Sequence, residues 1–415
     1  MSSDAQPGHK ALWTLFFAAF GVRLAAALAL GGFSIKAGTS AWDWGHEPAC
    51  IAQALLEGRG YSDPWGQGTG ATAWLTPPFP LLLAVAMKLG GGVTATSMAI
   101  VVTLQALASA LTAVLLVKLA RTLGCPRAGR LAGWLFAFYP IAISNTFQLV
   151  WDTTFVALAL TWVLERVLRP GTSVVGNGLA YGALLVLNPA PASLAPLLLG
   201  FTWRRSGLKA AATFALAAGA LCAPWMLRNQ LALGAFSLRP NLGVELRIGN
   251  HDEADGRPVP FKYHPSHVPE ELALYRELGE VQYSAENRER AVAWIRANPG
   301  RFVSLSARRS TLFWVSEPPS SDTRQTSGKS AARDPASWVK YASYVLAAVG
   351  ALVALAKARL ERDVRILLVL SLLAFGAPYY LTHVSERYRF PVDPLLVALG
   401  AVAVQHFRER RNVVR

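Results

Sequence analysis

Two groups of charged residues stand out in a chain that is otherwise poor in charge. The first is acidic. In the string GHEPACIAQALLEGRGY, Glu47 opens a segment whose apolar positions Ile51, Ala52, Leu55 and Leu56 fall on one helical face, which predicts a short amphipathic helix over 47–56 at a membrane surface. Asp43, Glu57 and Asp63 lie in the same loop. A carboxylate in that position can accept a proton from a hydroxyl, or it can do no more than favour the positive end of the helix. The second group is basic. HVSERYRFPVDP gathers His383, Glu386, Arg387, Tyr388, Arg389 and Asp393 late in the chain, and PWMLRNQLALGAFSLRPNLGVELRIGNHD carries Arg228 and Asn229, then Asn241, Gly243, Glu245 and Asn250. Guanidinium groups bind phosphate through paired donors, although Arg387 and Arg389 could simply pair with Glu386 and Asp393. An acid in one loop with arginines opposite predicts a cavity for transfer chemistry on a lipid phosphate. His46, Trp74, Asn229, Glu245, Asn250, His383 and Tyr388 are its expected substrate contacts, and Arg387, Arg389 and Arg228 its phosphate donors.

The elements that must hold these residues are membrane helices. Hydrophobic residues make up 53% of the 415 and charged residues 16%, as expected when much of the surface faces lipid. The apolar content is blocked: 97–117, 171–203, 210–227 and 366–384 carry no Asp, Glu, Lys or Arg. About ten spanning helices are expected, over 11–30, 97–117, 131–144, 147–164, 173–187, 192–202, 210–227, 341–356, 366–381 and 394–407. Basic residues mark alternate connections: Lys118 to Arg130, Arg166 with Arg169, Arg204 to Lys209, Lys357 to Arg365, and the tail from Arg408. With the N-terminus cytoplasmic, each obeys the positive-inside rule.

That topology divides the chain into a transmembrane core over 1–227 with a first outer loop at 31–92, an external domain over 228–337, and C-terminal helices with a basic tail over 338–415. Residues 275–297 read as a solvent-exposed helix and 317–335 as a flexible loop. Pro77, Pro78 and Pro80 predict an extended entry into the apolar segment that follows. Trp65 and Trp74 could also serve as interfacial anchors. The net charge of +15 sits at the ends of apolar runs, which argues against nucleic acid. Cys50, Cys125 and Cys222 fit neither a zinc spacing nor a CxxC motif. The first apolar segment, which contains Arg23, lacks a small-residue cleavage site and reads as a retained helix.

The acidic motif followed by GRGY, then PPFP, FYP with a polar turn, PWMLRN with a later GN, and RYRFPVDP together resemble the bacterial membrane glycosyltransferases that use polyprenyl-phosphate sugars. Their relatives include the protein mannosyltransferases and the lipid A aminoarabinose transferase, and the resemblance runs from Gly45 to Pro394. It implies an all-α polytopic membrane protein of GT-C-like fold, with interfacial helices in the first outer loop and a small external domain. It further implies a polyprenyl-phosphate-sugar donor, a hydroxyl-bearing acceptor, single displacement with inversion, and a location in the bacterial inner membrane with the active site outside. The resemblance puts the family's catalytic acid on Glu47, with Asp43 as the other candidate, and a further family acid either falls on Asp152 or is absent from this chain. Where the family often has two adjacent acids, this chain has His46 beside Glu47, so a divalent metal stays open as a cofactor. Two other functions share the residue pattern: a transporter or flippase of an anionic lipid or small solute, and a ligase of lipid-linked oligosaccharide.

Overall fold

The structure is a computed structural model, and residues 8–34, 45–257, 262–319 and 334–414 are described. Asp43 and most of the loop expected over 317–335 lie outside the described residues. Among the described residues six helices are long and apolar enough to cross a membrane: α1 (His9–Ala29), α4 (Ala95–Thr122), α10 (Leu208–Leu233), α14 (Pro335–Lys357), α15 (Arg362–Leu381) and the run from Glu386 to Arg411, which holds α16 (Glu386–Arg389) and most of α17 (Asp393–Val414). Shorter helices fill the bundle: α3 (Pro78–Gly90), α5 (Pro126–Ala137), α6 (Pro140–Gln148), α7 (Thr153–Leu168), α8 (Val174–Leu187) and α9 (Ala195–Ser206). The chain is thus a helical multi-pass membrane protein. Leu216 and Leu231 on α10 and Leu346 and Leu352 on α14 stand fully outward, a distribution that lipid favours and water does not.

Small residues set the packing. α4 lies against α5 and α7, and a Cβ on Gly129 or Gly133 would meet the carbonyl oxygens of Val117 or Ala113 at 2.9 and 3.0 Å. Gly350 on α14 faces Gly400 on α17 in the same way. Such close backbone approach drives helix association where lipid removes the hydrophobic incentive. Arg23 is fully buried between α1, α4 and α5. Its guanidinium donates to Ser109 Oγ at 2.7 Å and to the carbonyls of Ala137 and Phe136 at 3.0 and 3.2 Å, closing the C-terminal end of α5.

Four expectations change. The helix expected over 131–144 is split at Phe138–Tyr139, where α5 ends and Pro140 opens α6. The helix expected over 147–164 is broken, because residues 149–152 leave the helix between α6 and α7. Gln105 of α4 donates to the carbonyls of Thr146 and Leu149, both at 3.1 Å, and so replaces the helical donors lost there. The prolines at 77–80 do not extend the chain. Pro77 is helical in φ/ψ and Pro78 and Pro80 lie in the first turn of α3, where no N–H is needed. Arg228 and Asn229 do not leave the membrane helix but belong to its final turns, since α10 continues to Leu233.

The amphipathic segment is α2 (Glu47–Leu56), with the expected bounds. Its buried face is Pro48, Ala49, Ile51, Ala52 and Ala54, while Leu56 is exposed, because α2 rests on α3 and shares a core with Phe79, Leu83 and Met87. The external unit consists of α11 (Leu242–Gly249), α12 (Pro269–Ala297) and α13 (Pro299–Val315). Gly279, at φ 74°, kinks α12, and Tyr275, Tyr283, Val244 and Ile248 pack on Trp65 and Trp74 of the first loop. Glu280 ties the two parts together, accepting from Ala73 N at 2.9 Å, Tyr275 OH at 2.9 Å and the Thr72 hydroxyl.

Candidate active site

A cavity of about 750 Å³ opens at the end of the bundle where α8 and α15 finish and α7 begins. Glu47 enters it from the first turn of α2. The turn that delivers it is Gly45–His46, both with positive φ (78° and 52°). Gly45 is required there, since a Cβ would lie 2.5 Å from the Val150 carbonyl oxygen and 2.6 Å from the Trp151 ring. His46 has no such freedom, and a side-chain residue at that φ stores strain of order 1–3 kcal/mol. The turn therefore locks α2 against the 149–152 break, so that Glu47 and Asp152 line one wall system.

Arg387 faces the same space, its guanidinium 4.4 Å from the Trp151 ring centre and 5.3 Å from that of Tyr388. Arg239, which the sequence reading passed over within SLRPN, is the second arginine lining the cavity. Asp152 accepts from Asn188 Nδ2 at 2.8 Å. Across from them, His383 stands 3.6 Å from Glu245 through Nδ1 and 2.9 Å from the Tyr388 hydroxyl through Nε2. Tyr379 stacks on Tyr388 at 4.6 Å, and Asn241 donates to Glu245 at 3.0 Å. His264 approaches Glu47 Oε1 to 3.9 Å.

Burial governs the protonation states. It pushes the Glu47 carboxyl up to about 7, with Glu245 adding to the rise and Arg387 and Arg239 opposing it. It raises Asp152 as well, against its bond to Asn188. Burial and His267 bring His46 down to about 4, and burial lowers His383 and, much further, His264. At neutral pH these imidazoles are uncharged, which leaves Arg387 and Arg239 as the cavity's cations.

Of the expected site residues, Glu47, His46, Trp74, Glu245, His383, Tyr388 and Arg387 line this one cavity. Four do not. Arg389 is fully buried beside it, donating from Nε to Asp393 at 2.7 Å, from Nη1 to the Trp314 carbonyl at 2.7 Å and from Nη2 to the Tyr344 carbonyl at 3.0 Å and Tyr139 OH at 3.3 Å. Residues two apart in a helical turn point about 200° apart, so Arg387 and Arg389 do not share a ligand. Arg228 fastens the first loop to α10 through the carbonyls of Thr72 (2.5 Å) and Tyr61 (2.8 Å). Asn229 donates to the Ser237 carbonyl at 2.8 Å, and Asn250 to Leu381 at 2.9 Å while accepting from Arg309. These four side chains are architectural.

A divalent cation would need three or more convergent ligands. Among the described residues no group of three His, Cys, Asp or Glu is arranged to hold one.

No family model matches the sequence, and no curated protein matches it. Solved structures do. The oligosaccharyltransferase of Archaeoglobus fulgidus, in complex with zinc and sulfate, superposes with a TM-score of 0.53 at 14% identity over 97% of this chain and 50% of that one. The chain therefore spans about half the length of that enzyme. The same archaeal oligosaccharyltransferase with an inhibitory peptide and a dolichol-phosphate gives a TM-score of 0.48 at 14% identity over 96% of this chain and 51% of that one. ArnT from Cupriavidus metallidurans bound to undecaprenyl phosphate gives 0.44 at 15% identity, over 94% and 77%. At such identity the likeness is one of fold, and the first superposition carries it. Helix content, apolar spans and that superposition agree: the described residues form an all-α polytopic membrane protein whose fold is similar to that of the archaeal enzyme.

Proposed function

We propose that the chain is an inverting glycosyltransferase that moves a single sugar from a polyprenyl-phosphate donor to a hydroxyl acceptor at the external face of a membrane. The observation that carries this reading is Glu47 and the two cationic side chains Arg387 and Arg239 lining one cavity between the first loop and the RYR motif. The donor phosphate would lie against Arg387 and Arg239, whose donors stabilise the negative charge that develops on it as the glycosidic bond breaks. Glu47 would take the acceptor's hydroxyl proton as its oxygen attacks the anomeric carbon from the opposite face. One displacement inverts the configuration. Trp74, Trp151 and Tyr379 offer apolar faces for a sugar ring, and Asn188, Asn241 and Glu245 offer polar partners.

The cavity's 750 Å³ suits one sugar with its phosphate better than a long glycan, which favours transferase over oligosaccharide ligase. The ligase reading draws support from the oligosaccharyltransferase whose fold is shared.

The test is sugar transfer from a purified polyprenyl-phosphate donor in detergent, with donor binding measured alongside. Glu47→Gln should bind donor like the parent and turn over roughly a hundredfold more slowly. Asp43→Asn runs in parallel: loss confined to that variant would move the base to Asp43, and full activity in both would leave the reading without an acid.

A further inference from the structure

Glu47 begins a line of polar side chains that runs along the cavity wall to its rim. Its Oε1 is 3.9 Å from His264 Nε2. On the other side of that ring, Nδ1 is hydrogen-bonded to the Ser266 hydroxyl, and Ser266 Oγ lies 2.7 Å from Nδ1 of His267. His267 is exposed to solvent. The segment KYHPSHV folds to make this line. The His264 carbonyl accepts from the backbone N–H of His267 at 3.0 Å and of Val268 at 3.2 Å, a tight turn that brings Ser266 and His267 back beside His264. Trp65 and Trp74 hold the His264 ring edge-on, at 4.8 and 5.6 Å between centres.

A base that takes a proton in every turnover must lose it before the next. The Glu47 side chain is only 14% exposed, and donor or product bound in the cavity would cover what is open. An arginine does not relay protons at neutral pH, so neither Arg387 nor Arg239 can serve. We propose that His264, Ser266 and His267 form the route by which the proton taken up by Glu47 reaches solvent.

This inference rests on the glycosyl-transfer reading for the origin of the proton. In the transfer step the acceptor's O–H bond breaks and its proton goes to a Glu47 oxygen. The acceptor oxygen bonds to the anomeric carbon, and the electron pair of the breaking C–O bond leaves with the phosphate. The proton then passes from Glu47 to His264 Nε2 while the Nδ1 proton moves to Ser266 Oγ. The Ser266 hydroxyl proton moves to His267 Nδ1, and His267 releases its Nε2 proton to water. One proton enters the line and one leaves. Because His264 gains at one nitrogen as it gives at the other, it never carries the net charge that its burial opposes.

The first link, 3.9 Å, exceeds a hydrogen bond, and a side-chain rotation of Glu47 or one bridging water closes it. After the shift His264 holds its proton on Nε2, the tautomer favoured by the Ser266 backbone N–H 3.3 Å from Nδ1, and reorientation of the ring resets the line. Glu47 is also faced by Arg387, Arg239 and Glu245, and His264 by His267, His383, His46 and Arg387.

The experiment follows the proton itself. In the purified full-length protein saturated with polyprenyl phosphate, a light-triggered drop in pH from about 8 through the Glu47 pKa is followed by time-resolved infrared, using the carboxyl band that Glu47→Gln removes. Protonation of Glu47 is expected to slow roughly tenfold or more in both Ser266→Ala and His267→Ala, with an unchanged midpoint, and added imidazole should restore much of the rate in His267→Ala. Rates equal to the parent in both variants would overturn the route. Sugar transfer is measured separately. A protein that protonates Glu47 along this line yet transfers no sugar would end the glycosyltransferase reading while upholding the route.

Discussion

Glu47 is held where its charge is opposed, and that has consequences for both rate and stability. Its carboxyl lies near 7 against an ordinary 4.5, so as pH rises from 6 to 8 the base becomes available and kcat/KM should climb with a midpoint near 7. The stability effect has the opposite sign. Below about 4.5 the group is protonated folded or unfolded, and between 4.5 and 7 only the folded state keeps the proton, so stability falls through that window and the loss is complete above it. The loss is of the order of 3 kcal/mol. At pH 8 Glu47→Gln should therefore melt higher than the parent while being nearly inactive, and an equal or lower melting temperature would count against burial as the cause. The two arginines of the RYR motif make a second contrast. Arg387→Ala should keep the fold and weaken donor binding by roughly 1.5–3 kcal/mol. Arg389→Ala should instead destabilise by about 3–5 kcal/mol, because it leaves Asp393 buried without its partner. Comparing melting temperature with donor binding for the pair separates the two roles.

At the scale of elements, the sequence announced some parts and hid others for physical reasons. The bounds of α2 were legible because its apolar spacing is local, and the RYR motif drew notice because it gathers two arginines with Glu386 and Asp393 in one short string. The break between α6 and α7 was not legible: it depends on Gln105, a residue of another helix, and the run FQLVWDTTFV has no proline or glycine to mark it. The architectural role of Arg228 was hidden in the same way, since its partners Tyr61 and Thr72 lie in a distant loop. Arg389 could have been set apart from Arg387 by helical geometry alone. His264 carried no signal in the sequence, because only the fold places it 3.9 Å from Glu47. The Gly45–His46 turn leads to a prediction at this scale. Gly45→Ala should push α2 away from Val150 and Trp151 and lower turnover at least about tenfold, with little change in overall helix content. Turnover and circular dichroism measured on that variant would decide it.

For the whole molecule, the basic connections noted in the sequence gather at the end opposite the cavity. Arg205 of α9 reaches Glu361 at 3.0 Å, Arg204 lies 3.6 Å from Asp363, and Arg127 of α5 lies 3.8 Å from Glu409 of α17. Exposed pairs of this kind add little stability, but they bring one charge-rich face together, and that face is the one the positive-inside rule assigns to the cytoplasm. A membrane-impermeant thiol reagent applied from outside should label Glu270→Cys and miss Arg205→Cys, and the reverse pattern would invert the topology and move the cavity inside. The buried pair Arg389–Asp393 bears on how the protein is made. Tyr139 bonds Asp393 at 2.9 Å across 254 residues of sequence, and Arg389 fills the remaining space between Trp314 and Tyr344. During synthesis Tyr139 enters the bilayer long before its partner exists, and the charged start of α17 cannot settle in lipid until that site is there to receive it. The buried site is thus complete only when α17 docks, and chains in which that docking fails would present unpaired polar groups to the proteases that survey the membrane.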